Sequence, residues 1–234
     1  LVPSLAKFHN SHFEEVLYGN PISVFISGAF AVSIFFVLSG FVLTITAFKT
    51  GDENIVRKLA AKRYIRLMLP ALVSILITWL ILSLGLSSAK DATAEISGSL
   101  WLDVQWNFVP NLLDALRQGI WGIFAIPETT YNPVLWTMQY EMIGSIIVFA
   151  LFLLFGKTKY RWVIYVFAIA LLFQTWYLAF VIGMVIADLY ANKMFLFKNI
   201  NKGVMTGLLL FGLLLGGYPS ISGQKTFYQF MTIP

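Results

Sequence analysis

The 234-residue sequence predicts an all-α protein, a polytopic bundle of transmembrane helices with about six crossings. Three observations predict it. First, 59% of the residues are hydrophobic and only 12% are charged, whereas a soluble domain carries about 25% charged residues. Such a chain cannot cover a soluble surface. Second, the apolar residues gather into long runs, several near the roughly 20 residues needed to cross the hydrocarbon layer. Third, Lys and Arg alternate between the ends of these runs. With the first crossing running inward, the inner stretches are 49–66, 157–161 and 191–202, and they hold twelve of the 16 basic residues.

Taken in order, residues 1–20 are mixed and polar, and they lack the basic-then-apolar pattern of a secretory leader. Ile22 to Phe48 is free of charge and forms the first crossing, with residues to spare. Ser33, Gly40 and Thr44 lie near one stripe of it, as expected for close packing on a neighbouring helix. Lys49 to Arg66 reads as a basic loop. Leu67 to Leu86 is the second crossing, with Pro70 in its first turn, where a missing N–H costs little.

Ser87 to Pro133 is long, acidic and rich in tryptophan (Trp101, Trp106, Trp121). Charges interrupt its apolar runs before they reach a spanning length. It reads as short helices on the membrane surface with tryptophans at headgroup depth, and its length suits a lid. Val134 to Phe155 is the third crossing and carries Glu141. Gly156, Lys157 and Thr158 look like the end of a phosphate-binding loop, but that motif requires glycine where Leu151 stands. Trp162 to Tyr190 is 29 residues, too long for one straight crossing and short for two. Gln174 and Thr175 at its middle predict a tight hairpin between two short crossings. A single crossing would carry Lys193, Lys198 and Lys202 to the outer side, against the charge pattern. Gly203 to Gly217 is the last apolar run. Residues 1–234 read as one membrane domain in an integral membrane protein, with the plasma (inner) membrane as its expected location.

The sequence contains no cysteine, which excludes disulfides, thiolate metal sites and a cysteine nucleophile. No metal site is expected. The formal charge of +5 does not argue for a nucleic-acid partner, because cytoplasmic loops account for it.

Three groups of residues are candidates for chemistry. Arg57 to Pro70 (RKLAAKRYIRLMLP) holds five basic residues and runs directly into an apolar segment. Read as a helix, it places Lys58, Lys62 and Arg66 on one side. Two readings stand: a positive-inside anchor beside a span, or a phosphate-binding patch at the cytoplasmic surface. Glu141 is the most informative single residue. An acid within a span must face the protein interior or water, and by default marks a site. Thr137, Gly144 and Ser145 share its face. A carboxylate paired structurally to a basic residue is the alternative. His9 and His12 are the only imidazoles, near Glu14 and Glu15. Either is a candidate general base, although an exposed polar terminus is the simpler reading of their spacing.

IFFVLSGFVLT at 34–44, KRYIRLMLP at 62–70 and NPVLWTMQYE at 132–141 occur in this order. Together they resemble acyltransferase family 3, a family of multi-span membrane acyltransferases. FVIGMVIADL at 180–189 is similar to the family's later G-M-x-x-A helix, so the resemblance covers most of residues 28–190. It implies transfer of an acyl group, commonly acetyl from acetyl-CoA, to a hydroxyl of a saccharide or similar acceptor. It implies that acyl-CoA approaches from the cytoplasm, where Lys62, Arg63 and Arg66 would meet its phosphates. The acceptor hydroxyl would lie on the outer side, near Glu141 and the 87–133 segment. Family members carry an arginine and a following histidine in their first span. Here no arginine precedes His9 and no such span is visible, so the chain is expected to begin just after it and to end short of the family's usual crossings. The family histidine would be the base, with Glu141 orienting either it or the acceptor.

A rival reading is a transporter or flippase with Glu141 as a proton or cation site, which predicts broken helices and internal repeats. No clear repeat is visible. A third is a purely structural membrane subunit.

Overall fold

A computed structural model describes residues 20–87, 106–126, 128–192 and 201–218. Among these residues the regular structure is entirely helical. A short 3-10 turn, Pro21–Ile26, precedes α1 (Gly28–Thr50). The Ser27 side chain accepts the Phe30 N–H at 3.3 Å and starts the helix. Gly51 ends it in a left-handed conformation, φ 70°, that a side chain would disfavour.

Asp52 then caps α2 (Glu53–Ser83) by accepting the Asn54 N–H at 2.9 Å. This helix has 31 residues and is about 46 Å long. The basic stretch 49–66, expected to be a loop, is instead helical outside a two-residue turn. Lys49 and Thr50 end α1, the turn is confined to Gly51 and Asp52, and residues 53–66 form the first turns of a continuous helix. The reason is local: the stretch 53–69 contains neither glycine nor proline, and Glu53 supports Arg57 one turn on at 3.4 Å. Pro70 consequently lies inside the helix, not in its first turn.

The segment between the second and third crossings contains α3 (Leu112–Arg117), a π-helical turn (Gln118–Gly122) and α4 (Ile123–Ala125). Its described part begins at Trp106. It packs along the side of α2: the Tyr64 hydroxyl donates to the Ile120 carbonyl at 2.6 Å, and Ala115 and Ile123 share a core with Ala71 and Ile75. Tyr131 ties this layer together. Its N–H donates to Gln118 Oε1 at 3.2 Å, and its hydroxyl donates to the Asn111 carbonyl at 2.9 Å.

A 3-10 turn, Pro133–Trp136, leads into α5 (Thr137–Phe155), followed by α6 (Arg161–Leu171), α7 (Tyr177–Ala191) and α8 (Lys202–Gly216). Gly28–Thr50, Glu53–Ser83 and Pro133–Phe155 are long and apolar enough to cross a membrane, while α6, α7 and α8 are shorter apolar helices. The break between α6 and α7 falls where the hairpin was expected. Gln174 takes φ 67° there.

The main core joins α1, α5 and α7. A Cβ on Gly40 would stand 2.1 Å from the Phe180 carbonyl oxygen, and one on Gly183 would stand 2.0 Å from the Val37 oxygen. The backbones of α1 and α7 therefore touch. The Phe180 ring fills the notch beside Gly144 and stacks on Phe36 at 4.8 Å. Helices α2 and α5 run antiparallel, tied at one end by Lys157 to Glu53 (3.0 Å) and at the other by Asn132 to Ser74 (2.6 Å). Helix α8 buries no residue and touches the turn before α1, where Ser23 donates to the Gly217 carbonyl at 2.7 Å.

Candidate active site

Glu141 enters the interior because α5 turns its Glu141–Gly144–Ser145–Val148 face inward. The side chain is only 1% exposed. Arg63 of α2 donates to its Oε2, and Ser39 of α1 donates to its Oε1 at 2.8 Å. Three helices thus meet on one carboxylate. Arg63 lies about 15 Å along α2 from Glu53 and about 16 Å from Ser74. The ion pair therefore lies between the two other polar ties that join α2 to the flanks of α5. Burying two ions costs several kcal/mol each unless pairing and hydrogen bonds offset it. Here the arginine and the serine each occupy one carboxylate oxygen.

On either side of Arg63, α2 carries cations of another kind. Arg63 is only 14% exposed, but Lys62 and Arg66 are exposed and make no ion pair within the described residues. Near the start of α5, half-buried aromatic rings gather beside Glu141. Trp136 lies 5.6 Å from Tyr140 and 5.7 Å from Trp176, and Tyr140 lies 5.5 Å from Tyr177. The carboxylate's arginine is therefore flanked by exposed cations, and aromatic rings gather near the start of the helix that carries the carboxylate.

A second polar cluster closes the basic end. Asp188 is fully buried. Arg161 pairs with it at 2.8 Å, the Tyr165 hydroxyl donates to it at 3.2 Å, and the Asn192 amide donates to both its backbone and its side-chain oxygens. These contacts clamp α6 to α7. Nearby, the Lys49 ammonium lies over the Tyr190 ring at 5.1 Å.

The structure brings together residues expected at different places. Arg63 was expected at the phosphate end and Glu141 at an outer cavity, yet they are in contact. His9 and His12 lie outside the described residues. Sequence reasoning missed Ser39 and Asp188. Asp188 carried the same signal as Glu141, an acid within an apolar run. Ser39 carried none, because a serine in an apolar helix normally bonds to its own backbone.

A family model described as an acyltransferase domain, that of acyltransferase family 3, matches residues 4–232. The chain belongs to acyltransferase family 3. No curated protein and no solved structure matches it. The protein is thus an integral membrane acyltransferase, and its resemblance-bearing stretches converge in space. FFVLSGF supplies Phe36, Ser39 and Gly40. The R-x-x-R stretch supplies Arg63. L-W-T-x-x-x-E supplies Trp136 and Glu141. Gly183, Met184 and Ala187 of G-M-x-x-A are all buried in α7, and Gly183 lies directly against α1.

Proposed function

We propose that this acyltransferase moves an acyl group, acetyl by analogy with its family, from acyl-CoA to a hydroxyl of a saccharide or similar acceptor. The observation that carries the reading is the position of Glu141: buried and held by Arg63 and Ser39, with the exposed cations Lys62 and Arg66 flanking that arginine along α2 and aromatic rings gathered near the start of α5. Lys62 and Arg66, exposed on either side of Arg63, suit the phosphates of an acyl-CoA, since Arg in particular forms charge-assisted bonds to phosphate oxygens. Rings with polar tips, such as Trp136, Tyr140, Trp176 and Tyr177, suit an acceptor that is apolar on one face and hydroxylated at its edge.

In the reaction, the acceptor oxygen attacks the thioester carbonyl, a C–O bond forms and the C–S bond breaks. The acceptor proton passes to a base and from there to the departing CoA thiolate. The family histidine is the expected base, and Glu141 orients it or the acceptor. The basic end, with Lys49, Lys157 and Arg161, faces the cytoplasm in this reading, and the plasma membrane is the expected location.

The test is reconstitution of the full-length protein in vesicles with radiolabelled acetyl-CoA and a panel of hydroxylated acceptors. Acceptor-dependent release of CoA thiol and label on an ester are expected, with most of the activity lost in Glu141→Gln. Ion or lipid movement across the vesicle membrane with no thiol release would overturn the reading in favour of transport.

A further inference from the structure

We propose that Ser39 is a positioning residue for acyl transfer, fixing the plane of the Glu141 carboxylate from the side that Arg63 does not reach. The inference rests on the acyl-transfer reading of Glu141 given above.

The first observation is how the hydroxyls of α1 are used. Ser33 donates to the Ala29 carbonyl at 2.9 Å, Thr44 to Gly40 at 2.8 Å and Thr50 to Thr46 at 2.9 Å. Each bonds back to its own helix, the ordinary course for such residues. Ser39 departs from this and donates across the bundle to Glu141 Oε1 at 2.8 Å.

The second observation is what holds Ser39 in place. Its neighbour Gly40 lies against the Phe180 backbone, where even a Cβ would stand 2.1 Å from the carbonyl oxygen. One turn earlier Phe36 is fully buried and stacks on Phe180 at 4.8 Å. Helix α1 is therefore pinned immediately on either side of the serine.

The third is the chemistry of the carboxylate. The terminal torsion of a glutamate is broad. An arginine on Oε2 alone would leave the plane of the group free to rock. Donors on both oxygens, from two different helices, remove that freedom. Each oxygen keeps a further lone pair for the acceptor or the base.

Steady-state kinetics of the full-length enzyme with acetyl-CoA test the proposal. Ser39→Ala should lower kcat by about tenfold to a hundredfold, the range expected for a hydrogen bond to a charged group, with KM for acetyl-CoA within about twofold. Ser39→Thr should restore much of the rate while its isostere Ser39→Val does not. This pair gives the same comparison should the alanine variant fail to accumulate. Because Ser39 acts through Glu141, Ser39→Ala/Glu141→Gln should be no slower than Glu141→Gln alone, within about twofold. A wild-type kcat in Ser39→Ala, equal rates for the threonine and valine variants, or multiplied losses in the double variant would each overturn the positioning role while leaving acyl transfer intact. A wild-type enzyme that transfers no acyl group would overturn both.

Discussion

Arg63 and Glu141, 78 residues apart in sequence, form a buried ion pair that joins α2 to α5. Removing one partner would leave the other charged and unpaired in the interior, which costs about 3–5 kcal/mol. Arg63→Met and Glu141→Leu should each lower the melting temperature of the detergent-purified protein. The double change Arg63→Met/Glu141→Leu should recover most of that loss and show no acyl transfer. A double variant as unstable as the sum of the single ones would mean that the two groups do not depend on each other.

Gly40 and Gly183 let α1 and α7 touch, and neither helix has a flexible side chain to give way at the contact. Gly40→Ala and Gly183→Ala should each destabilise the protein by about 1–3 kcal/mol, the usual cost of overpacking. Gly207→Ala, with nothing within 4 Å of the added carbon, is the matched control and should be neutral. Equal melting temperatures for all three would show that the crossing is looser than its geometry.

Arg66 differs from Arg63 in being exposed, although both belong to the same basic run. Arg66→Ala and Lys62→Ala should raise KM for acyl-CoA by about tenfold each, on the scale of one charge-assisted bond to phosphate, with little change in melting temperature. Arg63→Ala should do the reverse, losing stability first. An unchanged KM in the Arg66→Ala/Lys62→Ala variant would leave these residues as topology anchors.

The orientation can be read without an activity assay, because the chain has no native cysteine. Single cysteines at positions 50 and 158 should resist an impermeant thiol reagent added to intact cells and react once the membrane is opened. Labelling of either from outside would invert the bundle.

Composition and run length alone determined that the chain is a helical membrane bundle. The hydrocarbon layer leaves a spanning backbone few ways to satisfy its hydrogen bonds, and apolar runs of this length select the helix. The hairpin at Gln174 was legible for the same reason, since 29 residues and the placement of lysines constrain it locally. Glu141 was legible as a residue of interest because a charge in an apolar run is anomalous wherever its partner lies.

The tertiary structure decided what Glu141 touches. Its donors come from 78 and 102 residues away, and which of the five cations between Arg57 and Arg66 it would meet depends on how α2 is rotated against α5. The depth to which α3 and α4 pack along α2 was hidden likewise, because it follows from the fit of Gly119 against Leu72 and of Ala115 against Ala71 and Ile75. Sequence periodicity fixes the faces of each helix, but only the close approach at Gly40 and Gly183 fixes which faces meet, and with them the partners of a buried charge.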